Sequence, residues 1–187
     1  CACSALNRSK KCNMKISTKT GDAGRTKLMF GRDVSKSSQR VRAYGAVDDF
    51  SATLGLARSF AGKELGAEIL GIQESLVCLM TELATKKEDF HLLTEKKLRL
   101  LGDGDLKSLE DRIESAERDG DIFSGWTHSG ETHLQAALDM ARARCRNAER
   151  EIVGLAESEG LARDFPLVYI NRLSDYLWIL AQVSLRS

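Results

Sequence analysis

Only one proline, Pro166, occurs in the 187 residues. Proline breaks helices and punctuates turn-rich β folds, so its scarcity favours long uninterrupted helices. Aromatic residues are just 6% of the chain. No apolar run approaches the roughly 20 residues a membrane-spanning helix needs, and no membrane partner is expected. The three histidines, His91, His128 and His133, lack metal-ligand spacing,. No Ser/His/Asp or Cys/His arrangement stands out, and the adjacent pairs Asp48–Asp49 and Glu110–Asp111 project in different directions instead of forming a carboxylate dyad,. Cysteines are present without a pattern. Cys1, Cys3 and Cys12 lack the fourth ligand of a zinc site, while Cys78 and Cys145 fall among apolar helical positions and read as buried thiols,. The lack of a disulfide framework points to a reducing compartment, the cytoplasm or, in a eukaryote, the mitochondrial matrix.

What is present is an ordinary globular composition, 42% hydrophobic and 29% charged, of a length that fits one domain,. Residues 1–13 read as disordered or as a leftover of processing or start-site choice, and 14–187 as a single helical domain. The net charge of +1 is unevenly placed: residues 1–36 carry +7 and the remainder −6. Such a basic segment suits an anionic partner (nucleic acid, phosphate or an acidic surface) or is a solvated tail. Residues 14–39, rich in Gly, Ser, Thr and Lys, read as an ordered loop or short hairpin. Helical spacing then predicts five helices: from Arg40 to about Phe60, from Leu65 to Leu83, a shorter one from Leu106 to Ala116, one from Leu134 to Leu155, and one beginning at Pro166,. Between Thr85 and Asp105 the pattern dissolves into charge, and Gly102-Asp-Gly104 signals a turn. The fold class is all-α, an up-and-down five-helix bundle with an ordered N-terminal loop.

Three constellations can carry chemistry. The segment from Thr18 to Lys27, Thr-Lys-Thr-Gly-Asp-Ala-Gly-Arg-Thr-Lys, combines glycines that let backbone N–H groups turn inward with lysine, arginine and hydroxyl donors,. It lacks Walker A spacing, and it is either a phosphate cradle or a plain basic turn. Arg142, Arg146, Glu149 and Arg150 border the apolar stripe of the fourth predicted helix, where they either face a helix–helix cleft that binds an anion or form a solvated face with internal pairing such as Arg146–Glu149,. On the last helix Asn171, Ser174, Asp175 and Trp178 share one face opposite the leucines, and the partner of a mid-helix asparagine is either a ligand or structural,.

In this order the three constellations resemble the PduO-type ATP:corrinoid adenosyltransferases. That family opens with Thr-Lys-Thr-Gly-Asp-x-Gly-x-Thr, matched by Thr18 to Thr26. It continues with a Lys and Arg-Val-x-Ala-Tyr-Gly-x-Val-Asp, matched by Lys36 and by Arg40 to Asp48. An Arg-x-x-x-Arg-x-Ala-Glu-Arg helix is matched by Arg142 to Arg150, and Asn-Arg-Leu-Ser-Asp-Tyr-Leu by Asn171 to Leu177. The similarity runs from Met14 onward.

The resemblance implies a ferritin-like five-helix bundle that assembles as a homotrimer with active sites between subunits. Its activity would be transfer of the 5′-deoxyadenosyl group of ATP to the cobalt of cob(I)alamin or a related corrinoid. Thr18, Lys19, Thr20, Gly21, Asp22, Gly24, Thr26, Lys27 and Lys36 would wrap the triphosphate. Arg146, Asn147, Glu149, Arg150 and Asn171 would hold triphosphate and adenosine. Asp48 and Arg142 would pair across the subunit boundary, completing the catalytic set with Arg146, Glu149 and Asn171. Mg2+ would ride on the phosphates, not on protein side chains. Trp126, Phe123 and Trp178 are the corrinoid candidates. A cob(II)alamin reductase and a B12-dependent acceptor enzyme are the implied protein partners, and nucleic acid is not. The sequence departs from the family where Trp126, sixteen residues before Arg142, replaces the usual Phe followed by Pro-Gly-Gly. Asn147 stands where a second Arg is common, and Asp49-Phe50 replaces Glu-Leu. These departures leave two other readings standing: a non-catalytic relative that carries or senses nucleotide or corrinoid, and a helical interaction module.

Overall fold

Long helices form where apolar residues recur at steps of three and four. The computed structural model of the chain describes residues 21–118 and 128–185. Residues 1–13, the site candidates Thr18, Lys19 and Thr20, and the corrinoid candidates Phe123 and Trp126 lie outside the described residues. A two-stranded antiparallel hairpin, β1 (Arg25–Lys27) and β2 (Asp33–Ser35), precedes α1 (Gln39–Phe60), α2 (Lys63–Leu83), α3 (His91–Glu95), α4 (Asp103–Arg118), α5 (His133–Ser158) and α6 (Phe165–Val183). The five predicted helices are α1, α2, α4, α5 and α6. The short α3 is an addition inside the charged stretch, anchored by the buried Leu93 alone. A second correction concerns α4, which starts at Asp103 and takes Gly104 into its first turn. Asp103 and Asp105 favour that end of the helix dipole, and the Asp105 carboxylate accepts the Gly102 N–H at 2.9 Å,.

α5 lies at the centre, packed on α1 and α6; α1 also packs on α2, and α4 docks on α6. Val47, Phe50 and Leu54 of α1 meet Leu76 and Leu79 of α2, Leu138, Cys145 and Ile152 of α5, and Ile170, Leu173 and Leu177 of α6 in one core. Each large apolar side chain buried there contributes about 1.5–3 kcal/mol. Cys78 and Cys145 are both buried, as their positions predict, and neither forms a disulfide among the described residues. Among the described residues no helix is long and apolar enough to cross a membrane. Thr132 caps α5 by accepting the Gln135 N–H at 3.0 Å, and the buried Gln135 side chain accepts the Gly130 N–H at 2.7 Å, which fastens the incoming loop,.

The C-terminal end of α2 is braced from two sides. Arg40, 3% exposed, donates Nη1 to the carbonyls of Leu83 at 2.9 Å and Thr85 at 2.8 Å, and Nε to Glu159 at 3.0 Å. A guanidinium there satisfies carbonyls that the helix itself leaves without donors. Glu82 is buried just before them. It accepts the Leu101 N–H at 3.0 Å and both Nε (2.9 Å) and Nη2 of Arg163, whose Nη2 also reaches the Leu101 carbonyl at 2.7 Å. Arg163 lies over the rings of Phe165 and Phe90, so the α5–α6 connection is stapled to α2. Removing one partner of such a pair leaves a charge in a desolvated place. Arg163→Ala is therefore expected to cost about 3 kcal/mol in urea unfolding. A loss below about 1 kcal/mol, the value of an exposed pair, would show that water replaces the guanidinium.

Candidate active site

The basic loop opens on Gly21 and is closed by local hydrogen bonds. The Gly24 N–H donates to the Gly21 carbonyl at 3.2 Å, and the Lys36 N–H donates to the Gly24 carbonyl at 2.8 Å. Gly24 has φ +74°, a left-handed conformation that a Cβ penalises,. At Gly21 the reason for glycine is space: a Cβ would lie 2.9 Å from Lys36 Nζ and 3.2 Å from its Cε. The loop thus draws the Lys36 ammonium onto bare backbone. Arg25 is committed to Asp33 across the hairpin at 2.5 Å. Among the described residues Lys27 and Lys36 make no ion pair, and both are exposed beside the exposed Asp22.

Burial pushes the Tyr44 pKa up, and the neighbouring Thr26 hydroxyl pulls it back. Lys27, Tyr44 and Asp48 then line one open cleft of about 600 Å³ with Val77, Met80 and Thr81 of α2. Tyr44 and Asp48 are one helical turn apart on the flank of α1 that faces α2. Asp48 has no ion-pair partner among the described residues. Its neighbour Asp49 lies on the other flank and pairs with Arg144 of α5 at 3.0 Å.

The second set lies on the opposite border of α5. Cys145 points into the core and donates its S–H to the Ile170 carbonyl of α6 at 3.4 Å, which fixes the level at which the two helices meet. Burial raises the Cys145 pKa, with Glu149 and Asp175 raising it further and Arg146 lowering it, so these charges surround the α5–α6 seam. With Arg144 on the α1 side of α5, the 100° step places Arg142 and Glu149 on the α6 side and Arg146 and Arg150 beyond them. Arg142 Nε bonds to Asp139 at 2.8 Å, and Arg150 makes a weak 3.3 Å contact with Asn147. Arg146 and Glu149 form no ion pair among the described residues, and the pairing within the helix is that of Arg142 with Asp139.

Asn171 is exposed at the same level of α6, and the half-buried Trp178 lies two turns on along that face. Ser174 does not join them. It is 2% exposed and donates to the Asn171 carbonyl at 2.9 Å, a correction to the polar face expected there. Asp175 is exposed beside Arg172, at 3.5 Å. The described site residues therefore form two groups: Gly21 to Lys36 with Asp48 on the α1–α2 flank, and Arg142 to Arg150 with Asn171 on the α5–α6 flank. No hydrogen bond or ion pair joins the two groups among the described residues.

Sequence reasoning missed the residues that hold these groups in place. Arg40 was read as part of a motif; its burial against α2 carried no local signal. Arg32 and Asp89 are 57 positions apart and bond in parallel, Nε to Oδ2 and Nη2 to Oδ1, both at 2.7 Å. Nothing in the hydrophobic spacing announces such a pair.

The model of the cobalamin adenosyltransferase family matches residues 16–184. The chain is 35% identical over 170 residues to a corrinoid adenosyltransferase of Bacillus subtilis (strain 168), covering 91% of this chain and 86% of that one. It is 36% identical over 170 residues to the corrinoid adenosyltransferase PduO of Salmonella typhimurium, covering 90% of this chain but 49% of that one, so it spans about half of that relative's length. A solved variant of the PduO-type ATP:corrinoid adenosyltransferase from Lactobacillus reuteri, complexed with cobalamin and ATP, superposes with a TM-score of 0.80 at 31% identity, covering 91% of this chain and 93% of that one.

The Gly21 geometry yields a direct test. Gly21→Ala must displace the end of a flexible lysine, which changes stability by about 0.5 kcal/mol or less. It is expected to weaken binding of inorganic triphosphate about tenfold, the loss of one charge-assisted bond, as read by calorimetry. Unchanged affinity would show that Lys36 does not reach the anion.

Proposed function

The chain belongs to the cobalamin adenosyltransferase family, and from that membership we propose that it moves the 5′-deoxyadenosyl group of ATP onto the cobalt of cob(I)alamin or a related corrinoid. The products are triphosphate and adenosylcobalamin. The observation that supports this best is the set of cations that make no ion pair among the described residues: Lys27 and Lys36 on the hairpin, and Arg146 on α5. Cations held by a scaffold but not neutralised by it are what a polyanion requires.

The chemistry asks little else of the protein. The Co(I) electron pair forms the new bond to C5′ while the C5′–O bond breaks and its electrons leave with the triphosphate; cobalt ends as an alkylated Co(III). The nucleophile comes with the substrate, so no side chain has to act as base. Charge grows on the leaving phosphate oxygen, and fixed lysine and arginine donors stabilise it where it develops. In this reading Gly21, Asp22, Gly24, Thr26, Lys27 and Lys36, continued by Thr18, Lys19 and Thr20, wrap the triphosphate. Arg146, Asn147, Glu149, Arg150 and Asn171 hold triphosphate and adenosine. Mg2+ would enter with the phosphates of ATP.

Two groups of ligands on opposite flanks of one chain make a complete site only when a neighbouring copy supplies the second group. We therefore assign a closed ring of subunits, a homotrimer as in the resemblance above, with the α1–α2 flank of one protomer against the α5–α6 flank of the next. Asp48, which makes no ion pair among the described residues, would there meet Arg142, which bonds to Asp139 one turn away on its own helix. The corrinoid would lie near Trp178, with Trp126 and Phe123 from the sequence before α5. A cob(II)alamin reductase upstream and a B12-dependent enzyme downstream are the protein partners this reaction calls for.

The test is an anaerobic assay with chemically reduced cob(I)alamin and MgATP. The expected result is loss of the cob(I)alamin absorbance with stoichiometric release of triphosphate, not ADP or AMP. Binding of ATP without conversion would instead establish a non-catalytic carrier or sensor. Arg146→Ala is expected to lower kcat about 100-fold or more, the usual cost of losing a donor to developing charge. Its Tm should shift by no more than about 2 °C, because the exposed side chain fills no core space. Near-wild-type turnover in that variant would remove Arg146 from the site.

A further inference from the structure

Two three-residue strands do not hold their own position. An isolated hairpin is marginal in water, and between residues 21 and 36 only Leu28 is buried. The placement of Lys27 and Lys36 therefore rests on a few contacts between the hairpin and the bundle. Thr26 neighbours the Tyr44 hydroxyl, and the Met29 N–H donates to the Ala84 carbonyl at 3.0 Å. Lys96 Nζ lies 5.9 Å from the centre of the Phe30 ring, at the far limit of a cation–π contact,. Among the described residues the hairpin is also held by the pair of parallel 2.7 Å bonds from Arg32 to Asp89.

Arg32–Asp89 differs from the rest in strength and in direction. It is bidentate and charged at both ends, which makes it about twice as strong as a neutral bond. The other ion pair of the hairpin, Arg25–Asp33, joins the two strands to each other and ties them to nothing else. The Asp89 side chain is 9% exposed and sits in a 3-10 turn, Lys87–Asp89, whose last N–H donates to the Lys86 carbonyl at 3.0 Å. The Arg32 guanidinium holds the Asp89 carboxyl below the usual carboxylate range. The same edge of Arg32, Nε and Nη2, is spent on this carboxylate, so it is not an edge offered to phosphate. Just upstream, the Ala84 carbonyl that receives Met29 lies between the two carbonyls held by Arg40.

We propose that Arg32 and Asp89 are positioning residues for the nucleotide: together they clamp the triphosphate hairpin to the segment after α2, so that Lys27 and Lys36 meet ATP already in place. This rests on the adenosyltransferase reading above. Without the clamp the hairpin occupies its binding-competent place only part of the time, and apparent affinity falls by that fraction. Bound ATP selects the placed hairpin, so turnover at saturation is retained.

The experiment compares wild type with Asp89→Ala, Asp89→Asn and the reciprocal double substitution Arg32→Asp/Asp89→Arg. Asp89→Asn keeps the shape of the site if the alanine variant does not fold. The expected result is a rise of about tenfold in KM for ATP, matching a hairpin in place a tenth of the time. Both kcat and the corrinoid KM should stay within about twofold, the pattern of lost binding rather than lost transition-state contact. The double substitution should recover most of the lost affinity. Calorimetry with ATP alone should show the same loss of affinity without turnover. An unchanged KM and an unchanged calorimetric affinity would overturn the proposal and leave the pair a structural one. A fall in kcat that saturating ATP does not recover would also overturn it, by placing Arg32 at the reacting atoms. A wild-type protein that binds ATP without converting cob(I)alamin would refute the reaction instead, while the calorimetric comparison would still decide the clamp.

Discussion

A helix ends with carbonyls that nothing inside the helix can satisfy, and this fold is organised around how α2 meets that need. Leu83 and Thr85 give their carbonyls to the buried Arg40, Ala84 gives its own to Met29 of the hairpin, and Glu82 takes Arg163 and the Leu101 amide. Within four residues the start of α1, the hairpin, the α3–α4 connection and the α5–α6 connection are all bonded to one helix end. Burying these polar groups is tolerable only because each has a partner. The same saturation gives the basic hairpin a fixed anchor.

The consequence for chemistry is a division of labour between the two flanks of the bundle. On the α1–α2 side lie the backbone-rich loop and the lysines; on the α5–α6 side lie the arginines, Glu149 and Asn171. If the nucleophile is a corrinoid, as proposed, the protein's contribution is orientation and charge, and cations free of carboxylate partners are the resource to look for. Asp33 and Asp139 neutralise Arg25 and Arg142 within the chain, and among the described residues Lys27, Lys36 and Arg146 make no ion pair.

Much of this was legible in the sequence, and what was not has a physical reason. Steps of three and four gave α2, α5 and α6 nearly to their ends, because burial of a helix face is a local, periodic property. The same arithmetic put Arg142 and Glu149 at the border of the core stripe, where they lie. The loop from Gly21 to Lys36 was readable as ordered because its glycines and lysines have roles within a few residues of each other. Ser174 was misplaced because a hydroxyl that bonds back to the Asn171 carbonyl can be buried without breaking helical spacing,. The start of α4 was set by acidic residues acting on a helix end and not by apolar repeats. Arg32–Asp89, Arg40 with α2 and Arg163–Glu82 stayed invisible because each joins residues more than 40 positions apart, and periodicity tells which way a side chain points, not what waits there.

The central claim is that one chain carries two halves of a site that only a neighbour completes. It is tested most directly by mixing two inactive variants, one lacking Arg146 on α5 and one lacking Lys27 and Lys36 on the hairpin, and refolding them together. In a ring with heterologous contacts, random mixing restores an intact site at roughly a quarter of the interfaces, so activity should return to about that fraction of wild type. If the mixture stays as inactive as either variant alone, both groups act within a single subunit and the divided site is contradicted.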